Sequence, residues 1–344
     1  PVEETTYTIP AQTVSFLDPG NYPVLVVANP DEDDIFYSAS GAGKAVLTIS
    51  KPAQEEGGED AGTVVKTADE LLAALTAGKD AITLAAGTYD LTEVESVGTS
   101  GVVILSAPVT LTGEQGAIVK GGFKIAGEIA GEVTIQNLEL DGKTTVGLPV
   151  EIGHSYKDSN DQTVYTPTSA EKVTIKDCYI HDYAKGLFYA QKAETLTVDQ
   201  IHVEYVNILN NKIENIKTGQ DGFDIRRGTF CNINFVGNSV ANSFRETFRI
   251  DLDGGNVICQ KLNIRRNTFY NVTNVSGKAL LYVRAKIEDW KVADNLFIFP
   301  ADHAGKFSRS TTAGYGAEFK NNFFYVEETA EAPNANIWSG DVSA

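Results

Sequence analysis

The stretch that decides the fold is Val206-Asn-Ile-Leu-Asn-Asn-Lys-Ile213, because it recurs along the chain at a nearly constant interval. Aligned copies include Ile233-Asn-Phe-Val-Gly-Asn-Ser-Val240 and Leu262-Asn-Ile-Arg-Arg-Asn-Thr-Phe269. Apolar and polar residues alternate in each copy, as they do in a strand with one buried face. The Asn or Asp that marks each copy recurs at gaps of 40, 34, 27, 29, 28 and 27 residues, at positions 137, 177, 211, 238, 267, 295 and 322.

A repeat of this length indicates one coil of a parallel β-helix, since it has room for three short strands and their turns but not for a crossover helix. We therefore predict an all-β fold, a right-handed parallel β-helix. The recurring Asn is expected to stack about 4.8 Å apart at the same turn of successive coils. Its amide would hydrogen-bond along the stack, which is a structural role.

The remaining chain is organised around this solenoid. Residues 64–344 are predicted to form the β-helix, with a long inserted loop at 143–171, and residues 53–63 are predicted to be a charged linker. Residues 1–52 are predicted to form a small β-strand unit of the kind found in a sandwich, with strands at Thr6–Pro10, Thr13–Leu17, Val24–Ala28 and Ala45–Ser50.

One helix is predicted, at Thr67–Gly78, as a cap on the N-terminal end of the solenoid. Thr67 and Glu70 have the spacing of a capping box, and Gly78 suits a helix C-terminus. The apolar face of this helix would carry three leucines, Leu71, Leu72 and Leu75.

Charge is distributed unevenly over the 344 residues, which have a formal net charge of −18. Residues 1–100 hold 17 acidic side chains against 4 lysines, whereas residues 201–286 hold 12 basic side chains against 7 acidic ones. All eight arginines lie between positions 226 and 309, which favours a local anion site. The overall charge argues against nucleic acid as a partner, and no stretch has the roughly 20 apolar residues of a membrane helix.

Placing three short segments on successive coils predicts a polar surface. When Phe223–Arg226 is stacked on Phe248–Asp251 and Leu281–Arg284, the first and third residue of each segment point inward. Two interpretations stay open: a ladder of ion pairs between coils, or a shallow groove for an extended anionic sugar chain. The outward side chains are Asp224, Arg249, Tyr282, Arg226, Asp251 and Arg284, with Asp253 and Lys286 one step further.

The run Asp221-Gly-Phe-Asp-Ile-Arg-Arg-Gly228, followed by Asn232-Ile-Asn-Phe-Val-Gly-Asn238, resembles a signature of the chondroitinase B and alginate lyase family. That family consists of right-handed β-helix polysaccharide lyases. The segment Thr67–Tyr89 is similar to the N-terminal cap of pectate-lyase-like folds. The chain resembles uncharacterised gut-bacterial surface β-helix proteins at least as well.

The lyase resemblance implies roles for individual residues. Arg226 matches the family's catalytic arginine, and Lys192 is the nearest match to its catalytic lysine. The family's calcium-binding acids fall at Lys185 and Leu187, so calcium is a possible cofactor whose ligands are not matched here.

Elimination from a uronate needs a cation at the carboxylate, a base for the C5 proton and an acid for the leaving oxygen. The predicted cations are Arg226, Arg249 and Arg284. Lys192 or Lys278 would be the base, and Tyr282 the acid. The further residues expected to contact substrate are Asp224, Asp251, Lys278 and Lys286.

A glycoside hydrolase would instead need two carboxylates about 5–9.5 Å apart. Asp224, Asp251 and Asp253 on adjacent coils are candidates for that pair. Other chemistries find little support. The four histidines lack zinc-ligand spacing, so no metal site is predicted. Cys231 and Cys259 lie one coil apart and are expected to point inward as small apolar groups rather than to form a disulfide.

These observations predict a secreted, periplasmic or surface-exposed monomer that engages a polysaccharide, most simply an acidic one. Three functions stay open. The protein is a lyase-like enzyme on a uronate-containing glycan, a non-catalytic glycan-binding or structural surface protein, or a hydrolase of a neutral glycan.

Overall fold

The computed structural model describes residues 20–26, 43–49, 62–157, 159–190, 200–217, 219–251, 257–284, 287–308 and 317–327. The chain divides into two compact units, residues 1–61 and 62–344. In the first unit, strands Gly20–Val26 and Gly43–Ile49 pair antiparallel. They overlap the third and fourth strands predicted there, although the first of them starts at Gly20 rather than at Val24. The first two predicted strands and most of the predicted linker lie outside the described residues.

The second unit is a right-handed parallel β-helix, as the repeat predicts. Three long parallel sheets run along it, because each coil contributes one strand to each sheet. Over the described residues the first sheet has ten strands: Thr63–Val65, Ala81–Leu84, Val109–Gly113, Glu128–Gln136, Thr168–Lys176, Ile201–Leu209, Gly228–Val236, Val257–Arg265, Ile287–Ala293 and Ala317–Lys320.

The other two sheets have shorter strands, counted here within the part of the chain that the structure describes. The second sheet has nine: Gly87–Asp90, Ala117–Lys120, Glu139–Asp141, Tyr179–His181, Lys212–Glu214, Ser239–Ala241, Thr268–Tyr270, Leu296–Phe299 and Phe323–Val326. The third sheet has eight: Val102–Leu105, Gly122–Ile125, Val150–Ile152, Phe188–Ala190, Phe223–Ile225, Phe248–Ile250, Ala279–Val283 and Lys306–Ser308.

The core follows from the alternation of side chains along these strands, which sends like residues into like places on successive coils. Phe188 and Phe223 are register partners in the third sheet, and their rings stack with centroids 4.6 Å apart. Phe269 and Phe297 stack in the same way at 5.0 Å in the second sheet. These four rings are buried, so the interior is a continuous apolar column.

The predicted cap helix is present at Ala68–Thr76. The Thr67 hydroxyl accepts a hydrogen bond from the Glu70 backbone N–H at 3.2 Å, which satisfies one of the unpaired donors of the first turn. Leu71 is fully buried against the first coil, and Gly78 ends the helix with a φ of +69°. A short 3-10 helix follows at Leu91–Glu93. None of the helices in the described residues is long and apolar enough to cross a membrane.

The asparagine ladder is confirmed over five coils, from Asn211 to Asn322. Asn238 shows the pattern: its Oδ1 accepts from the backbone N–H of Asn211 at 2.9 Å and from Asn211 Nδ2 at 3.0 Å. Its own Nδ2 donates to the Ile208 carbonyl at 2.9 Å and to Asn267 Oδ1 at 3.1 Å. The ladder therefore satisfies backbone groups that the turn would otherwise leave buried without partners.

Asn137 and Asp177 were predicted to be ladder residues, and that prediction is wrong by one position. Both have positive φ, 56° and 55°, and they occupy the left-handed turn position that Asn210 takes in the next coil. Cys178 holds the ladder position instead and donates its backbone N–H to Asn211 Oδ1 at 3.0 Å. Asn and Asp are both tolerated in the left-handed conformation. The left-handed turn position therefore carries the same residue type as the ladder position that follows it, and the sequence alone does not separate the two.

The predicted insertion at 143–171 is also not one loop. Val150–Ile152 is a strand of the third sheet, and a long first-sheet strand starts at Thr168. Between them, His154–Lys157 pairs antiparallel with Thr163–Thr166. The long gap in the repeat therefore reflects a hairpin inserted between the strands of one coil.

Candidate functional site

The candidate site lies on the outward face of the third sheet. The strand register places one residue from each coil in a single row along this face. The row runs through Lys124, Glu151, Tyr189, Asp224, Arg249 and Tyr282.

The stacking predicted from sequence is the stacking observed. Asp224 is the register partner of Arg249, and Arg249 of Tyr282. The residues that end these strands continue the pattern, since the Asp251 backbone N–H donates to the Ile225 carbonyl and the Arg284 N–H to the Ile250 carbonyl, each at 2.9 Å.

A buried carboxylate that the sequence analysis did not single out is the centre of the site. The Asp221 side chain is only 1% exposed, and three guanidinium groups converge on it. Arg245 binds it through two bonds of 2.8 Å, from Nε to Oδ1 and from Nη2 to Oδ2. Arg249 Nη1 donates to Oδ2 at 3.1 Å and Arg226 Nη2 at 3.4 Å.

Two further aspartates extend this network along the face. Arg226 holds Asp224 through Nε at 2.6 Å and Nη2 at 2.8 Å. Arg249 donates to Asp251 Oδ2 through Nε at 3.2 Å and Nη2 at 2.9 Å, and Arg284 Nε donates to Asp251 Oδ1 at 2.5 Å. We call the eight side chains of this group the charge cluster: Asp221, Asp224, Arg226, Arg245, Glu246, Arg249, Asp251 and Arg284.

Glycines let the turn that carries Asp221 lie close to its neighbours. A Cβ on Gly186 would lie 2.3 Å from the Asp221 carbonyl oxygen, and one on Gly222 would lie 2.7 Å from the Phe244 ring. Neither space admits a side chain, so the turns of adjacent coils pack backbone to backbone. That approach brings Asp221 against Arg245 of the following coil.

Tyr282 ends the row between two cations. The centroid of its ring lies 5.4 Å from the guanidinium carbon of Arg249 and 5.2 Å from that of Arg284. Both distances are within cation–π range, and Tyr282 is 8% exposed. The phenol therefore belongs to the same polar surface as the arginines.

The carboxyls of the cluster differ in acidity. Burial opposes ionisation of Asp221, but hydrogen bonds and charge from Arg245 and Arg249 outweigh it and hold the pKa of Asp221 below its usual value. Burial raises the pKa of Asp224, with Arg226 opposing the shift. Burial also raises the pKa of Glu246, and the neighbouring Asp221 charge adds to the effect. Asp224 and Glu246 are therefore the groups that protonate more readily.

An open cleft lies beside the charge cluster. Its volume is about 410 Å³, and carboxylate, ammonium, amide and phenol groups face it. Glu151 is itself held by Lys124 Nζ at 3.3 Å. The lining residues are Leu148, Glu151, Lys185, Tyr189, Gln220, Asp221 and Asp224.

The structure brings together most of the described residues that the sequence analysis proposed. Arg226, Arg249, Arg284, Asp224, Asp251 and Tyr282 lie in one connected surface. Lys278 is near enough for its charge to act on Glu246. Lys192, Lys286 and Asp253 lie outside the described residues. Asp251 is fully buried between two arginines, a poor position for one of the two carboxylates of a hydrolase.

Several residues of the site were missed by sequence reasoning. Glu151 and Tyr189 belong to coils whose strands were not aligned, and Gln220 and Asp221 precede a strand, where no alternation marks them. At the two positions of the family's calcium acids, Lys185 lines the cleft and Leu187 is buried in the core. Neither side chain offers an oxygen ligand.

Residues 87–243 match a protein family described as a domain of unknown function, DUF4957. The match begins in the first full coil and ends after the coil that carries Asp221 and Asp224. No curated protein matches the chain.

Proposed function

We propose that the protein binds a polysaccharide along the outward row of the third sheet, with the cleft beside Asp221 as the central subsite, and that it does so without cleaving the chain. The observation that carries the proposal is the cleft, in which the half-buried Tyr189 lies among closely spaced polar groups of the outward row of the third sheet.

The chemistry of the cleft suits sugar hydroxyls. Glu151 and Asp224 are acceptors, Lys185 is a donor, and the Gln220 amide is both. Tyr189 lies between Glu151 and Asp224 in the row and presents an aromatic ring to the apolar face of a sugar. Rows that repeat about every 4.8 Å suit a polymer better than a compact ligand.

The charge cluster supports binding more than catalysis. Four carboxylates face four guanidinium groups, so their formal charges cancel. Arg226, Arg249 and Arg284 each hold an aspartate, and a uronate would have to compete with that aspartate for the guanidinium. Recognition through hydroxyl groups is therefore favoured over recognition through net charge, although an acidic polymer stays the prediction from sequence.

The test is affinity electrophoresis of the full chain through gels that contain one neutral or acidic polysaccharide each. We expect at least one polymer to retard the protein, and Tyr189→Ala to weaken that binding by about tenfold or more. Tyr270→Ala is the matched control, since Tyr270 is an exposed tyrosine of the second sheet. Failure of every polymer to retard the protein, or equal losses in the two variants, would contradict the proposal.

As a second candidate we propose elimination from a uronate-containing glycan, supported by the chondroitinase B and alginate lyase resemblance. The specific observation in its favour is Tyr282, a phenol flanked by Arg249 and Arg284. Alginate, pectate and chondroitin sulfates would be incubated with the protein, with and without calcium, while the absorbance of an unsaturated product is followed. Turnover that Tyr282→Phe abolishes would support this candidate, and the absence of product from every polymer would exclude it.

Either candidate implies that the protein meets its polysaccharide outside the cytoplasm. We therefore propose a secreted, periplasmic or cell-surface location and a monomer that presents the third sheet to the polymer. Both proposals rest on the glycan assignment and fall with it.

A further inference from the structure

A second cluster of reactive side chains lies on a different sheet from the cleft. His202 and Glu204 are two residues apart on the first-sheet strand Ile201–Leu209, and Cys231 lies on the next strand, Gly228–Val236. His202 Nε2 is 3.2 Å from Glu204 Oε2 and 4.0 Å from Cys231 Sγ. All three donor atoms lie within 4.8 Å of one another.

The strand register explains how this cluster forms. Phe230 pairs with Val203 on one side and with Cys259 on the other, and all three point into the core. Cys231, the next residue, therefore points out of the core toward His202. The prediction that Cys231 and Cys259 are inward apolar groups is confirmed for Cys259, which belongs to the core, and is wrong for Cys231, whose Sγ faces His202.

We propose that His202, Glu204 and Cys231 form a binding site for a divalent transition metal, Zn²⁺ foremost. Imidazole, carboxylate and thiolate are the three protein ligand types that zinc takes, and the thiolate disfavours Mg²⁺ and Ca²⁺. The site goes beyond the polysaccharide proposal and does not depend on it.

The observed distances are close to those that a metal would impose. Tetrahedral zinc with Zn–N and Zn–O near 2.0 Å and Zn–S near 2.3 Å implies separations of about 3.3 Å between N and O and about 3.6 Å between S and N. The corresponding distances here are 3.2 Å and 4.0 Å. A side-chain adjustment of a few tenths of an ångström in Cys231 completes the geometry.

The site is open on one side. The side chains of His202 and Glu204 are 49% and 45% exposed, whereas Cys231 is buried beneath them. Three protein ligands and an accessible fourth position are the arrangement in which zinc keeps a water or takes a substrate atom. On the preceding strand, Thr168–Lys176, Glu171 lies level with Glu204, between the register pairs Ala170–Val203 and Lys172–Tyr205.

One other group of donors must be separated from this one. Asp141, His181 and Asp182 also lie within 4.8 Å of one another, on the second sheet and the turn after it. His181 is already engaged at both ring nitrogens, by Asp182 at 2.7 Å and by Glu139 at 3.3 Å. This group has no sulfur ligand, so a spectroscopic signal from a metal–thiolate bond distinguishes the two.

The test is titration of the reduced full-length protein with cobalt(II) chloride, followed by absorption spectroscopy. We expect a thiolate-to-cobalt charge-transfer band in the near ultraviolet at one equivalent, with release of the Cys231 thiol proton to the buffer. Cys231→Ser should abolish the band. Cys259→Ser, which removes a core thiol one coil later, should keep it.

The Zn²⁺ affinity, measured by competition with a zinc-binding dye of known affinity, gives the second measurement. His202→Ala and Glu204→Gln change exposed side chains, so they leave the fold intact, and each should weaken Zn²⁺ binding by about tenfold or more. His181→Asn should leave that affinity unchanged. Cobalt binding without a charge-transfer band, or a band that survives Cys231→Ser, would overturn the proposal.

Discussion

At the scale of single residues, the site depends on carboxylates that are buried and compensated rather than exposed. Asp221 is almost wholly inaccessible, yet its two oxygens face Arg226, Arg245 and Arg249. A buried ion without such partners costs several kcal/mol. Removing one member of a compensated buried group therefore lowers the stability of the fold strongly, because its partners are left as uncompensated charges. The cluster therefore fixes three coils relative to one another.

Replacing Asp221 tests this directly. Asp221→Asn leaves the Arg245 fork without a charge partner, and we expect it to lower the free energy of unfolding by about 3 kcal/mol. The measurement is urea denaturation followed by circular dichroism. Asp294→Asn is the control, because Asp294 meets Arg265 at 3.2 Å on the surface with both side chains over one third exposed, and should cost less than about 1 kcal/mol. Equal losses in the two variants would contradict a buried network.

His303 gives the protein a predicted pH dependence. It is 2% exposed beside the Phe299 ring, and burial lowers its pKa to about 4, with Asp302 opposing the shift. The unfolded chain binds this proton near pH 6.5 and the folded chain only near pH 4, so stability falls as the pH drops through that window.

The expected loss between pH 7 and pH 5 is about 2 kcal/mol from this residue. Urea midpoints measured at both pH values should differ less in His303→Phe than in the unmodified chain. An unchanged pH dependence in the variant would show that another group is responsible.

At the scale of elements, the turns that carry the asparagine ladder, from Asn211 to Asn322, hold five coils in register. The Asn238 side chain accepts two hydrogen bonds at Oδ1 and donates two from Nδ2, and the backbone groups that take part are buried. A second, half-buried ladder runs along the first sheet, with Asn234 Nδ2 donating to Asn207 Oδ1 at 2.8 Å and Asn263 Nδ2 to Asn234 Oδ1 at 2.9 Å. Breaking the first ladder leaves buried backbone groups without hydrogen-bond partners, whereas breaking the second removes only bonds between side chains.

Asn238→Ala should destabilise the protein by about 3 kcal/mol, because the Asn211 N–H and the Ile208 carbonyl lose their partners in a dry turn. Asn234→Ala breaks only side-chain bonds that water can replace, and should cost less than about 1 kcal/mol. Urea denaturation of the two variants checks the difference. A larger loss for Asn234→Ala would contradict the proposed role of the turn.

The sequence alone predicted the structural features that repeat from coil to coil, and it did not predict the contacts that occur only once. The interval of the Asn residues predicted the coil, and alternation predicted which face Asp224, Arg249 and Tyr282 take. The one-residue offset of Asn137 and Asp177 from the ladder position was not predicted, because two adjacent turn positions accept the same residue types. Asp221 and Gln220 lie in a turn without periodicity, and their contacts join coils that only the folded chain brings together.

At the scale of the whole molecule, the net charge of −18 says little about the site. Most of the net negative charge arises in the first 100 positions, where 17 acidic side chains stand against 4 lysines, whereas the cluster on the third sheet is balanced, carboxylate against guanidinium. Recognition through hydroxyl groups then implies weak dependence on salt, since no net charge is screened.

Raising sodium chloride from about 0.05 M to about 0.5 M should therefore change the affinity for a bound neutral polysaccharide by less than about twofold. Affinity electrophoresis at both concentrations is the measurement. A loss of affinity of about tenfold or more would show that the ligand is held by charge, and would favour an acidic polymer.

A crystal structure of the protein soaked with an oligosaccharide of the retained polymer is the most direct test of the proposed binding surface. We expect a sugar ring against Tyr189 in the cleft, with hydroxyls bonded to Gln220, Glu151 or Asp224, and the sugar chain continuing along the third sheet. A sugar bound to the first or second sheet, with Tyr189 untouched, would contradict it.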